Sequence, residues 1–423
     1  MRDERGPSLL GYLRSVLSAA ESAALEAARR LCSERGWALF LVGGAVRDLM
    51  RGVQHLDLDL AVDGDAVALG GSLAAGLNAL HTAYPAFGTA TLAGMGWSLD
   101  LARTRRERHA APASLPVVEP AAIEEDLARR DFTIHAMALA LNGPNEGALL
   151  DPFDGQADLA ARLLRVLHSE SFRDDPTRIL RLARYTARLG FAVEPVTAAL
   201  ATRDATYIGA LSPARVGAEL ERIFREAEPE RSLAVLEDLH ALRRVYPELR
   251  ITATLSEAFQ RLREDGGGSS GTAEYLAALT AWWDRGVIQR LVDRLDLNRA
   301  IAAALRDVPE VARALPELRR RRDPAAIVAI CERFHSSALR GVAARAGGAA
   351  YEHTRWFLRE LRNRRPLLRG DDVLALGVPA GPQVGAALAA LRAACLRGAL
   401  ADRDDEIMFV RRWLESHSRE HGT

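Results

Sequence analysis

The hydrophobic period of this chain changes once, near residue 122, and that change constrains the fold more than any other feature. Before it, short segments of strand character alternate with helical ones; from Glu124 onward apolar residues recur at the three- and four-residue steps of a helix almost to the end. Residues 38–42 (Ala-Leu-Phe-Leu-Val) are a continuous apolar run that fits a buried strand. Residues 56–62 alternate with period two, and residues 89–92 and 97–102 read as two further strands. Helices are expected over 8–36, capped by Ser8 and ended by Gly36, and from Asp65 to Leu80, with one or two helical turns over 45–50. Residues 106–122, with Pro112, Pro116 and Pro120, read as a loop. The only strand expected later is short, at 146–150, and residues 266–271 (Gly-Gly-Gly-Ser-Ser-Gly) as a flexible break. The expected class is α+β: a mixed α/β head with a small sheet, then an elongated all-helical region. A length of 423 residues accommodates two to four domains.

Several classes are excluded early. No uncharged apolar stretch of about 18 residues occurs, so no membrane span is expected. The start, Met1-Arg2-Asp3-Glu4-Arg5, lacks the basic and apolar regions of a secretory signal. Cys32, Cys331 and Cys395 are far apart and odd in number, which fits neither a disulfide framework nor a paired-cysteine metal site and points to a reducing cytoplasm. Basic and acidic residues balance at 56 each, and every basic residue is arginine. A net charge of zero does not argue for nucleic-acid binding, but it permits a basic stripe on one face.

Two features carry chemistry. Gly43-Gly44 stands between a buried strand and a short helix, where a turn without side chains lets backbone N–H groups approach an anion. In Asp57-Leu58-Asp59, residues i and i+2 of a strand share a face, with backbones about 7 Å apart. Two carboxylates that close repel unless a cation or a proton intervenes, and paired carboxylates holding Mg²⁺ ions are what metal-assisted phosphoryl transfer requires. Asp100 is a third carboxylate if its strand pairs beside the first.

The order Gly-Gly, Arg47-Asp48, Asp57-x-Asp59 and a further acid some forty residues on resembles the head of the nucleotidyltransferase superfamily related to DNA polymerase beta. Further motifs narrow the resemblance: Leu41-Val-Gly-Gly-Ala-Val-Arg-Asp48, Asp100-Leu-Ala-Arg-Thr-Arg105-Arg-Glu107, Glu125-Asp-Leu-Ala-Arg-Arg-Asp-Phe-Thr-Ile-His-Ala-Met137, Asp151-Pro-Phe-Asp-Gly155 and Ser171-Phe-Arg-Asp-Asp-Pro-Thr-Arg-Ile-Leu-Arg181. Together, and in this order, they resemble the bacterial class II tRNA nucleotidyltransferases and their poly(A) polymerase relatives. The match is dense over residues 38–225 and thin beyond.

The resemblance implies a domain plan: a helical extension over 1–37, a head over 38–165, a nucleobase-reading neck over 166–230, a helical body over 231–345 and a tRNA-binding tail over 346–423. It implies that Asp57 and Asp59 bind catalytic Mg²⁺ with Asp100 beside them, and that Gly43, Gly44, Arg47 and Arg130 meet the nucleotide. The family's base-reading motif falls on Asp174-Asp175-Pro176-Thr177-Arg178, continued by Arg181 and Arg184. The chemistry of that motif follows from its residue types. Asp accepts and Arg donates; cytosine and adenine both show an amine donor beside a ring-nitrogen acceptor, whereas uracil and guanine show the reverse. Asp175 with Arg178 therefore accepts C and A, and unpaired buried polar groups, at roughly 1–3 kcal/mol each, reject U and G. The bland reading of the same pair is an i,i+3 surface ion pair. The chain departs from the family at His135, where Asn is usual, and at Asp174, where Glu is usual.

The activity implied is addition of CMP and AMP to the tRNA 3′ end from CTP and ATP, without a template and with release of pyrophosphate. A partial enzyme adding only CC or only the terminal A, a poly(A) polymerase, an inactive tRNA-binding protein and a phosphohydrolase are the rivals. For the last, no histidine–aspartate metal cluster is present in the sequence. In the helical remainder, Arg355, Arg359, Arg362, Arg364, Arg365 and Arg369 form a basic cluster with Trp356 and Phe357 interleaved, expected to meet tRNA phosphates through Arg359, Arg362 and Arg365.

Overall fold

The computed structural model describes residues 8–266 and 271–420; the N-terminal residues 1–7 and the Gly/Ser stretch 267–270 lie outside the described residues. The chain divides into two compact units, one built from residues 1–216 and 232–247, the other from 217–231 and 248–423.

The first unit is organised by a seven-stranded sheet. Its strands are β1 (Leu39–Val42), β2 (Leu58–Val62), β3 (Leu80–Tyr84), β4 (Thr89–Gly94), β5 (Trp97–Arg103), β8 (Ala138–Ala140) and β9 (Leu149–Leu150), in the order β3-β4-β5-β2-β1-β8-β9. β2 and β5 are parallel, with Asp59 directly opposite Asp100; β1 runs antiparallel to both β2 and β8. The apolar run of β1 is buried on both sides because each side of the sheet has its own core. Leu39 and Leu41 join Leu58, Leu60, Leu99, Leu101 and Leu139 in one cluster, while Phe40 and Val42 join Ala61, Ile123, Leu127 and Ala138 in the other. Period two in β2 thus sends its leucines into the first core and Asp59 to the opposite face, as the alternation predicts.

Three expectations are corrected. The single helix over 8–36 is two, α1 (Leu9–Val16) and α2 (Ala19–Glu34), because Ser18 and Glu21 form a reciprocal capping box that starts α2 afresh. The stretch read as a loop over 106–122 holds a ribbon of two antiparallel strands, β6 (Arg105–Arg108) and β7 (Val117–Pro120), pinned by Arg106 on Glu119 at 2.8 Å. Strands β3 and β8, and the short pair β10 (Leu163–Leu164) and β11 (Ala192–Val193), stand where helix or no strand was expected.

Helices α3 (Gly44–Met50) and α4 (Ala66–Leu77) follow β1 and β2. Then α5 (Ile123–Ala128), α6 (Gly155–Ala161), α7 (Ser171–Asp174), α8 (Thr177–Leu189) and α9 (Pro195–Asp204) lead to α10 (Pro213–Phe224), which passes from the first unit into the second. Past α10 no strand occurs among the described residues. The second unit is helical, and the helices Thr272–Leu279 and Ser336–Ala346 approach closely: a Cβ on Gly341 would lie 2.4 Å from the Glu274 carbonyl oxygen, so only glycine fits there. Leu368, Val373, Val378, Ala387, Leu391 and Val410 form a separate small core in its C-terminal helices. No helix among the described residues is long and apolar enough to cross a membrane.

Candidate active site

β1 ends at Val42 and the chain turns at Gly43 with φ +66° and ψ −128°, a conformation L side chains rarely adopt. A Cβ there would also stand 2.6 Å from Arg130 Nη1, so that guanidinium would have to shift, but it is the positive φ that calls for glycine. α3 begins at once and carries Arg47 into a buried position. Its Nε and Nη2 donate to the two carboxylate oxygens of Asp48 at 2.9 and 2.6 Å, and its Nη1 lies 2.5 Å from His135 Nε2.

Gly43, Gly44 and Arg47 line a cavity of about 490 Å³ together with Asp57, Asp59, Arg130, Asp175, Arg178 and Arg181, so nine of the sequence-predicted residues are brought to one place. Two are not. Asp100 sits beside Asp59 in the sheet, exposed and accepting a hydrogen bond from Thr91 Oγ1 at 2.6 Å, and is not part of the lining. Arg184 is buried with its guanidinium 4.5 Å from the Tyr185 ring centroid, so it reaches the cavity through Tyr185, which does line it.

The lining acids differ in one respect. Asp48, Glu107, Asp131 and Asp175 each pair with an arginine: Arg47, Arg129, Arg181 and Arg215 respectively. Asp57 and Asp59 pair with none among the described residues. Burial and the neighbouring Asp100 and Asp57 carboxylates push the Asp59 carboxyl up to about 6, against the pull of Arg130 and Arg47. These are carboxylates short of positive charge in a cavity otherwise rich in it. No group of three His, Cys, Asp or Glu side chains able to hold a metal ion occurs among the described residues, so the protein offers two lining carboxylates and not a complete cage. On the other side Arg130 donates Nη2 to Asp126 at 2.8 Å, and its buried Nε has no partner.

Asp175 and Arg178, the pair expected to read the base, do not form a surface ion pair. Asp175 ends α7 and accepts from Thr177 N, Thr177 Oγ1 and Arg215 Nη2, while Arg178, in the first turn of α8, donates to Ser171 Oγ at 2.7 Å and to the Arg129 carbonyl at 2.6 Å. Each is held by other partners and both face the cavity. The sequence reading missed Asp131 and Tyr185. Buried Asp131 accepts from His135 Nδ1 at 2.8 Å and from Arg181 Nε at 2.8 Å; burial would raise its carboxyl, but Arg181 and His135 hold it well below the ordinary range. Around Tyr185 the guanidinium carbons of Arg47, Arg181, Arg184 and Arg188 lie 4.5–5.8 Å from the ring centroid, within cation–π range. The helical stripe of arginines was visible in sequence; the aromatic ring that organises it was the only available sign of its inward direction.

In the second unit, Arg355 and Arg359 both bond Asp265, at 2.6 and 2.8 Å, while Arg362 and Arg365 are exposed and form no ion pair among the described residues.

Residues 39–165 match the family described as the poly A polymerase head domain, and residues 190–251 match one described as a probable RNA and SrmB-binding site of polymerase A. The chain is 32% identical over 387 residues to the A-adding tRNA nucleotidyltransferase of Halalkalibacterium halodurans, across 89% of this chain and 88% of that one. It is 33% identical over 391 residues to the CC-adding tRNA nucleotidyltransferase of Deinococcus radiodurans, across 90% and 91%. The Thermotoga maritima CCA-adding enzyme, solved in complex with tRNA, superposes with a TM-score of 0.77 at 26% identity, covering 96% of this chain and 98% of that one.

Proposed function

The chain belongs to the family of tRNA nucleotidyltransferases built on the poly(A) polymerase head, and from that premise we propose that it adds CMP and AMP to the tRNA 3′ end, using CTP and ATP and releasing pyrophosphate. The observation that carries the reading is the charge pattern of the cavity: two carboxylates without counter-cations, Asp57 and Asp59, face a set of arginines ordered around Tyr185.

A divalent cation fits the two carboxylates. Burial and the neighbouring carboxylates of Asp100 and Asp57 oppose ionisation of Asp59, which a cation would favour, and Mg²⁺ is commonly held by one or two carboxylates plus substrate phosphate oxygens, which suits a site with two lining carboxylates and no metal-holding group of three among the described residues. When bound there, Mg²⁺ favours the 3′-hydroxyl as nucleophile and neutralises the leaving pyrophosphate. The protein's own residues do the rest. Arg47, Arg130 and Arg181 neutralise the triphosphate, and Arg130 Nε supplies a buried donor ready for a phosphate oxygen. Gly43 and Gly44 leave room for the nucleotide beside them. Asp175 and Arg178, each fixed by neighbours before any base arrives, present an acceptor and a donor to the edge shared by cytosine and adenine. Asp100 acts by its charge on Asp59 and Arg184 through Tyr185. The expected location is the cytoplasm, a reading that work on tRNA with CTP and ATP supports.

A second reading, addition of CC alone or of the terminal A alone, is favoured by the two relatives of matching length, which carry those two activities in their names. Transcripts ending before CCA, after C and after CC, each offered single nucleotides and both together, separate the three outcomes on a sequencing gel. Asp57→Ala and Asp59→Ala are expected to lose at least a hundredfold in incorporation while retaining tRNA affinity. Incorporation within tenfold of wild type by either variant removes the metal assignment.

A further inference from the structure

We infer that His135 is a positioning residue for the triphosphate: it supplies the acceptor that fixes the Arg47 guanidinium in the cavity wall, a task the asparagine usual at this position in the family does not perform in the same way. The inference rests on the nucleotidyltransferase reading of the cavity.

The partners on either side of the ring assign its protons. His135 Nδ1 lies 2.8 Å from Asp131 Oδ1, and Asp131 stays ionised beside Arg181, so it only accepts; Nδ1 therefore carries the hydrogen. Arg47 Nη1, 2.5 Å from Nε2, only donates, so Nε2 offers its lone pair. The ring is thus the neutral Nδ1–H tautomer, in accord with burial, which pushes its pKa down. It has no freedom to turn away: Tyr185 packs edge-on with centroids 4.5 Å apart, Phe132 packs at 5.9 Å, and Asp131 is itself held by Phe132 N and Arg181.

Arg47 is then gripped from two directions, Asp48 through Nε and Nη2 and His135 through Nη1. The result is a continuous chain, Arg47–His135–Asp131–Arg181, that locks a cavity arginine on α3 to one on α8. An asparagine amide ends where Nδ1 stands and satisfies Asp131; it stops short of the place of Nε2. A glutamine amide ends where Nε2 stands. The two amides therefore separate the two contacts of the imidazole.

The test is the equilibrium affinity for CTP and ATP with Mg²⁺, together with KM and kcat on a tRNA transcript, for His135→Ala, His135→Asn and His135→Gln. Loss of an acceptor to a charged donor is expected to weaken nucleotide affinity and raise nucleotide KM about tenfold in His135→Ala, with kcat within about threefold and the CTP-to-ATP preference unchanged. His135→Gln is expected to recover most of that loss and His135→Asn little of it. Recovery by Asn but not Gln would assign the histidine to anchoring Asp131 and overturn the inference, as would unchanged nucleotide affinity in His135→Ala, or a fall confined to kcat. Both amide variants conserve polarity and bulk, so the comparison stands even where alanine fails to fold. A wild-type protein that binds neither nucleotide overturns the function proposed above and this inference with it, whereas normal wild-type binding with no effect of the variants overturns this inference alone.

Discussion

Asp131 is buried among donors: His135, Arg181 and the Phe132 amide all donate to it. Its carboxyl is held well below the ordinary range, so it contributes stability that is fully present above the unfolded-state pKa, about 3.9, and is lost as pH falls towards the depressed folded value. Asp131→Asn removes the negative charge that Asp131 sets beside His135 and the half-buried Arg181, and is expected to cost about 3 kcal/mol. The cost should be constant from pH 7 to about 4 and shrink below that, as wild type loses what the variant already lacks. Urea midpoints of both proteins across pH 3–7 check this; a gap that widens on acidification contradicts the assigned ionisation. At this scale the sequence was partly transparent. Asp57 and Asp59 were legible because period two is a local rule, and Asp175 with Arg178 because a three-residue step is. Asp131 was not, because its chief partner, Arg181, lies 50 residues away and only the fold brings them together.

Elements were legible where burial imposes a period. β2, β4 and β5 carry one and were found, and β1 was found as a continuous apolar run buried on both faces; β8 is a buried Ala-Leu-Ala of three residues, too short to show a period, inside a stretch of helical character. The β6–β7 ribbon failed for a different reason: Arg-Arg-Glu-Arg and Val-Val-Glu-Pro pair along a mostly half-buried, polar surface, so no apolar alternation marks them, and Pro120 closes the second strand. The ribbon matters because its connecting segment is tied, through Arg215, to Asp175 of the proposed base-reading pair. Ala113 N donates to the Arg173 carbonyl, and Arg215, on α10, donates Nη1 to the Ala113 carbonyl at 2.8 Å and Nη2 to Asp175 at 2.7 Å. Arg215→Ala removes both ties. Amides of residues 105–120 are expected to exchange about tenfold faster in native-state hydrogen exchange, with β1, β2 and β5 unchanged, since a local opening and not the global one is made easier. Unaltered protection in the ribbon would show that its own pairing, not Arg215, holds it down.

On the scale of the whole molecule, 56 arginines balance 56 acids, so tRNA affinity has to come from where arginines are left uncompensated and not from net charge. The C-terminal cluster looked uniform in sequence and is not. Arg355 and Arg359 share Asp265, about ninety residues earlier in the chain, and that pairing is invisible to any local reading; Arg362 and Arg365 stay exposed without an ion pair among the described residues. The proposal that this face meets tRNA phosphates therefore carries an uneven weight. In the triple variant Arg359→Ala, Arg362→Ala, Arg365→Ala, tRNA affinity should fall, and the slope of log affinity against log salt should flatten by about two, one for each unpaired guanidinium, not by three. Arg359→Ala alone should change the slope little, because it withdraws a charge that Asp265 already offsets. The choice between CTP and ATP should not move, since Asp175 and Arg178 belong to the other unit. Binding measured from 50 to 200 mM salt, on full tRNA and on a minihelix of the acceptor and TψC arms, resolves the case: a triple variant with unchanged affinity and slope on both makes the cluster a solvated helix face, and a loss confined to full tRNA places its contacts beyond the minihelix.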